Sequence, residues 1–394
     1  MGKKASHPHA METIAAFITL PRISKLLSAL VRIPSPSGEE MAALRFIESY
    51  LGQQGLSARR QQVSRNRYNI LVHGGNSSQP SVLLNTHVDT VPSYTAANSV
   101  ARRAGNTIYG RGSCDAKGSV AAMLLAFVAI HRSSDGGQVP VDLCFTVGEE
   151  NSGDGSQRFV QDCRKYVWAI VGEPTDLRIV NCHAGYVEIV LAASSVRSHA
   201  FVPAGEQAII AVADLMLEIK RASRRKGKKP VHTFVHWIEG GDRSPFWSVG
   251  SSCKASLVVN TYSKAEIASI IRLARACCAT VERKYPGVEI EVQIDGSDEG
   301  LETPRNSPVV DYLSSSLRAI GRDRRIAVLP SWTDGARLCA AGIPTVVFGP
   351  GSLKDAHAVQ EKVDIKDVRD ASLAIAGAIL NWHGQAGRTK RRRK

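Results

Sequence analysis

Seven acids and histidines, each at or just past the end of an apolar run, carry the chemistry this chain can do. They are His87 and Asp89 in LLNTHVDTVP, Asp115 in YGRGSCDAKG, Glu149 and Glu150 in LCFTVGEENSG, Glu173 in AIVGEPTD and His357 in GPGSLKDAHAVQE. Such imidazoles and carboxylates suit a hard-to-borderline divalent cation, zinc first with Co2+ or Mn2+ as substitutes, bound as one ion or as a pair. That points to metal-assisted hydrolysis. His87 and Asp89 are two residues apart, so an extended backbone points them the same way. One can bind metal while the other orients it or steadies the loop; taken alone, the commoner explanation of such a histidine is a satisfied one. Asp115 is flanked by Gly110, Gly112 and Gly118, which permit a tight turn and close approach to an ion, although by itself it would equally serve as a helix N-cap. The adjacent carboxylates of Glu149 and Glu150 repel unless one is neutralised by metal or protonated. On an extended segment they diverge, so one can bind the ion while its neighbour faces the bound water as general base.

The runs that precede these residues, such as Ser81–Leu84 and Leu143–Val147, read as buried strands. Ligand-type side chains at several strand ends, far apart in sequence, are what a site at the edge of an α/β sheet requires. A chain of 394 residues exceeds one ordinary core, so two domains are expected. Helices are expected at 22–31 and 39–51, the second with Ser37 upstream as N-cap. Strands at 68–72, 81–86, 141–147 and 166–171 then alternate with helices at 117–132 and 156–163, which argues for a sheet covered on both faces. From about His183 the order becomes β-α-β-β-α-β, the ferredoxin-like arrangement, and after Ile294 the earlier pattern resumes. The fold class is therefore read as α/β: a doubly wound catalytic domain, discontinuous over 11–182 and 298–387. A ferredoxin-like α+β lid is inserted over 183–297, and a basic tail occupies 388–394.

Composition narrows the function. Apolar residues make up 43% and charged residues 22%, as in soluble globular proteins. There is no apolar run of eighteen residues, so no membrane-spanning helix is expected. The N-terminus lacks a long apolar core with a small-residue cleavage site; MGKKAS fits the myristoylation pattern at Gly2, but so short a pattern often matches by chance. The eight cysteines are scattered without a CxxC pair, which is simplest for a reducing cytoplasm. Only Cys114, beside Asp115, merits thought as a thiol or stray ligand, and packing is its plainer reading. The net charge of +14 is local: segment 220–229 carries seven basic residues and segment 388–394 carries six, leaving +1 on the body. Neither run is interleaved with aromatics, so specific nucleic-acid binding is not expected.

The motifs THVDTVP, YGRGSCDAKG, TVGEENSG, VGEPTD and PTVVFGPG…AH…E resemble the M20 family of metallopeptidases and amidohydrolases, in its acetylornithine deacetylase and succinyl-diaminopimelate desuccinylase branch. The resemblance runs from about Ile33 to Trp382. It implies a two-domain enzyme, often dimeric through the lid, that hydrolyses the amide of a small N-acyl amino acid; a dipeptidase or carboxypeptidase is the alternative on the same scaffold. By the same resemblance, His87 binds one metal, Asp115 bridges two, Glu150 and Glu173 bind one each, and His357 completes the set. Asp89 would orient His87, Glu149 would be the base, and His199, in Ser198-His199-Ala200, would stabilise the oxyanion. The lid arginine of that branch is missing from Leu257–Ser263, and Arg337 or Arg243 is the candidate replacement.

Overall fold

The computed structural model describes residues 7–75, 79–95, 100–133, 139–197, 199, 207–226, 229–241 and 250–392. In chain order the elements are α1 (His7–Phe17), α2 (Leu20–Val31), α3 (Met41–Gln53), β1 (Arg59–Ser64), β2 (Arg67–His73), β3 (Ser81–His87), β4 (Arg102–Ala104), β5 (Thr107–Tyr109), α4 (Lys117–Ser133), β6 (Val141–Thr146), α5 (Asp154–Asp162), β7 (Tyr166–Val171) and β8 (Ile179–His183). Next come β9 (Gly185–Ser195), α6 (Ala208–Ser223), β10 (Thr233–Gly240), β11 (Ser252–Thr261), α7 (Lys264–Lys284) and β12 (Val288–Asp298). The chain closes with β13 (Leu301–Glu302), α8 (Pro308–Ala319), β14 (Ile326–Leu329), α9 (Gly335–Ala340), β15 (Thr345–Val347), β16 (Lys362–Asp364) and α10 (Ile365–Arg392).

The larger sheet runs β1-β2-β6-β3-β7-β15-β8-β13, with β14 on β8. It is mixed: β6, β3, β7 and β15 are mutually parallel, while β1, β2 and β8 pair antiparallel at the two sides. Parallel strands buried on both faces need continuous apolar runs, and Ser81–His87 and Val141–Thr146 are buried at every position. Helix α4 is apolar all round, KGSVAAMLLAFVAIHRS, and is buried from Lys117 to Ile130, as such a sequence must be. It packs on β3 and β6 and against α1, α2 and α10, whereas α5 and α9 form a second packed set on the same sheet.

The chain divides into two compact units. The first comprises 1–181, 302–327 and 333–394, and the second 182–301 with 328–332. The second unit is built on a four-stranded antiparallel sheet in the order β10-β11-β9-β12. One face of it is apolar: β9 alternates buried and half-buried residues. Onto that face α6 brings Ala208, Ala211, Val212, Leu215 and Ile219, and α7 brings Ile270, Ala274, Cys278 and Val281.

Several local expectations need correction. Ser37 does not cap α3, whose N-cap is Glu40 without a side-chain bond; the Ser37 hydroxyl donates instead to Asp89 Oδ2 at 2.7 Å. Helix α10 runs on through Arg392, into the segment read as a basic tail. Strand β1, RRQQVS, lies at one side of the large sheet and has no apolar run to announce it. Among the described residues no single helix is long and apolar enough to cross a membrane.

Candidate active site

Four adjacent parallel strands end on one edge of the large sheet, and each delivers a candidate ligand there. In spatial order β6 leads to Glu149 and Glu150, β3 ends on His87, β7 leads to Glu173 and β15 leads to His357. Asp115 arrives from the loop ahead of α4. The backbone does not stay extended after β6. Gly148 takes φ +73° and begins a turn, so Glu149 and Glu150 lie on a turn rather than on a strand. A side chain at Gly148 would collide with the ion pair of Arg67 and Asp154 packed beneath it.

The five candidate ligands converge. Ligand atoms of His87, Asp115 and Glu150 lie within 4.8 Å of one another. Asp115 is shared between two sets. Its Oδ1 is 3.2 Å from His87 Nε2, and its Oδ2 is 3.5 Å from His357 Nε2. His87 Nε2 is also 3.5 Å from Glu173 Oε1, and His357 Nε2 is 2.9 Å from Glu150 Oε2. The nearest contacts therefore pair His87 with Glu173 and His357 with Glu150, and one Asp115 oxygen faces each pair. His357 sits at φ +58°, a conformation that costs a non-glycine residue free energy and that clusters at functional sites.

Asp89 meets His87 with both its main chain and its side chain. His87 Nδ1 is 3.0 Å from the main-chain carbonyl oxygen of Asp89, and only 3.5 Å from its carboxylate. Donation from Nδ1–H to that carbonyl makes Nε2 the ring nitrogen that faces the acids. The Asp89 carboxylate itself accepts the main-chain N–H groups of Glu149 and Glu150, each at 3.1 Å, together with the Ser37 hydroxyl. It holds the Glu149–Glu150 turn. The Glu149 carboxylate makes no hydrogen bond among the described residues.

Electrostatics reflect the crowding. Burial pushes Glu173 up to about 8, against the opposing pull of His87, and Asp115 and Glu150 add to the rise. Burial likewise holds Glu149 well above the glutamate range, with His87 opposing and Glu173, Glu150 and Asp334 reinforcing. Burial also raises Glu150, joined by Asp115 and opposed by His357. For His87, burial alone would lower the pKa; Glu173, then Asp115 and Asp89, outweigh it and hold the ring well above its ordinary value. So many acids in one buried place lack the positive charge that would make them compatible. Glu173 Oε1 is buried without any hydrogen-bond partner. Both features fit a centre built for divalent cations, with oxygen and imidazole donors in the set zinc, cobalt and manganese use.

Two neighbours were given no role in the sequence reading. Glu361, inside the AH…E motif, accepts three main-chain N–H groups from the Asp115 loop. Asp334 accepts the Thr146 hydroxyl at 2.7 Å, and burial, against hydrogen bonds from Ser156 and Thr146, lifts it to about 6. Neither ends an apolar strand, which was the signal used. Cys114 is buried, its thiol donates to Ser352 O at 3.4 Å, and burial pushes its pKa well up, so it is not a thiolate. His199 is exposed on the second unit, with its neighbours 198 and 200 outside the described residues. Arg337 is half-buried on α9, and Arg243 lies outside the described residues.

Fold and site together fit a metal-dependent hydrolase. The model of peptidase family M20/M25/M40 matches residues 83–381, and the chain belongs to that family of enzymes acting on amide bonds. A probable carboxypeptidase of Aspergillus clavatus is 27% identical over 363 residues, covering 87% of this chain and 84% of its own. Among solved structures, a tripeptidase from Staphylococcus aureus superposes with a TM-score of 0.80 at 20% identity, covering 92% of this chain and 98% of its own. The YXEP protein of Bacillus subtilis, described as a dinuclear metal-binding peptidase of family M20, gives a TM-score of 0.69 at 13% identity, with coverage of 93% and 98%.

Proposed function

We propose that this chain is a two-metal exopeptidase acting on short peptides, a dipeptidase or carboxypeptidase in activity. The observation that carries the reading is the pairing of His87 with Glu173 and of His357 with Glu150 about one Asp115 carboxylate, beside the uncommitted carboxylate of Glu149. The peptidase and carboxypeptidase names of similar proteins favour a peptide over the N-acyl amino acid expected from the motifs. His87, Asp115 and Glu173 would hold one ion, and His357, Asp115 and Glu150 the other, with zinc preferred and cobalt or manganese as substitutes. Such ions supply Lewis acidity toward the scissile carbonyl and lower the pKa of the attacking water.

The residues then divide the remaining work. Asp89 fixes the turn, so that Glu149 is presented with its carboxylate free. Glu149 takes a proton from the attacking water as its oxygen bonds to the carbonyl carbon. It returns that proton to the amine nitrogen as the C–N bond breaks, which balances the reaction. His199 is assigned the oxyanion on the strength of the motif alone. We also assign a homodimer to this chain. Its basis is β10, the terminal strand of its sheet, which exposes Phe234, Val235, Trp237 and Ile238; an exposed apolar edge is a ready pairing template. The test is a panel of dipeptides, tripeptides, N-acetylornithine, N-succinyl-diaminopimelate and other N-acyl amino acids, with added Zn2+, Co2+ or Mn2+. Release of a terminal residue from peptides is expected, and a clear preference for N-acyl amino acids would overturn the peptide assignment.

A further inference from the structure

We propose that Glu361 is a positioning residue for the metal centre: it fixes the shared Asp115 carboxylate by gripping the backbone of the loop that carries it. The inference rests on the metal-centre reading above. Glu361 is fully buried and lies 246 residues from Asp115 in sequence. Its Oε1 accepts the N–H groups of Cys114 and Asp115, both at 2.9 Å. Its Oε2 accepts the N–H of Gly112 at 3.0 Å and Arg111 Nη1 at 2.6 Å. Four donors from the stretch 111–115 thus end on one carboxylate. That stretch belongs to neither a strand nor a helix, so its buried N–H groups need an acceptor from elsewhere.

The grip is rigid at its other end as well. Glu361 O accepts Gly110 N–H at 3.1 Å, and the next residues form β16, which pairs Lys362–Asp364 with Thr107–Tyr109. Backbone and side chain of one residue therefore bind both the entry to the loop and its crest. Charge favours the arrangement: the Arg111 guanidinium pairs with the buried carboxylate, so the clamp adds little net charge to a centre already crowded with acids. Four residues before Glu361 stands His357. One short segment thus supplies a ligand at one end and, at the other, the clamp on a second ligand, which couples His357 and Asp115 mechanically.

The test titrates Co2+ and Zn2+ into metal-free full-length protein by calorimetry, and records the visible spectrum at saturating Co2+. The chains compared are wild type, Glu361→Gln, Glu361→Asp and Phe159→Leu, the last a core change on α5 away from the centre. Gln at 361 turns one acceptor into a donor facing Arg111 and Gly112, so metal affinity should fall 10- to 100-fold with an altered cobalt spectrum. Asp at 361 retains the charge and should recover part of the affinity; it also serves if the Gln variant does not fold. Phe159→Leu should be less stable yet bind metal normally. Unchanged affinity and spectrum in Glu361→Gln would overturn the proposal, as would an equal loss in Phe159→Leu. A wild-type chain that binds no metal would instead remove the reading beneath it.

Discussion

Removing the Asp89 carboxylate should cost both stability and metal binding, by amounts that follow from its contacts. Asp89 is fully buried and accepts three hydrogen bonds, from Ser37 Oγ, Glu149 N and Glu150 N. In Asp89→Ala the serine hydroxyl can turn elsewhere, but the two main-chain N–H groups lose their acceptor. Each such group costs about 1–3 kcal/mol, so the loss is ~2–6 kcal/mol. Asp89→Asn keeps one acceptor oxygen and places an amide donor against the other N–H, for a loss of ~1–3 kcal/mol. The assay is urea unfolding of metal-free protein, in which the midpoint should fall in the order wild type, Asn, Ala at an unchanged slope. The loosened turn carries Glu150, so metal affinity should drop roughly 10- to 100-fold in Asp89→Ala. If Asp89→Ala unfolds with wild-type stability, or binds metal normally, the turn is held by something other than Asp89.

Three further outcomes are expected. Glu149→Gln should lower kcat by about 10²- to 10⁴-fold, the usual worth of a general base, while calorimetry still finds metal bound; wild-type turnover would dismiss Glu149 as the base. His183 is buried, and burial pulls its ring down to about 4, with the Ala184 carbonyl opposing. Between pH 6.5 and 4 the unfolded chain binds this proton and the folded chain does not, so stability is lost as pH falls through that window, on the order of 3 kcal/mol in all. His183→Asn should flatten that part of the stability–pH curve, and an unchanged curve would refute the assignment. Ile238→Lys, placing a charge on the exposed β10 edge, should shift the chain to a monomer by sedimentation; an unaltered dimer would locate the interface elsewhere.

How much of this was legible in the sequence depended on burial. Strands β3, β6, β7 and β15 are parallel and covered on both faces, so they appear as apolar runs, and the acids and histidines at their ends stand out against them. Helix α4 was equally plain because its whole circumference is apolar. What the sequence hid lies where no such contrast exists. Strand β1 is polar because it ends the sheet path, and the three-residue strands β4, β5 and β16 are too short for any period to register. The alternation at Asp89 puts its carboxylate beside His87, 3.5 Å from Nδ1, but gives no sign of the two backbone N–H groups it also accepts, a partnership no side-chain pattern encodes. Glu361 was hidden for a similar reason: three of its four partners are backbone N–H groups, and all lie some 250 residues away.

Metal stoichiometry decides whether Asp115 joins two ions. Chelator-stripped protein should bind two equivalents of Zn2+ or Co2+ per chain. Asp115→Ala should weaken both, whereas His357→Ala should weaken one and largely spare the other. A single equivalent indifferent to Asp115, or no bound metal at all, would rule out the paired centre.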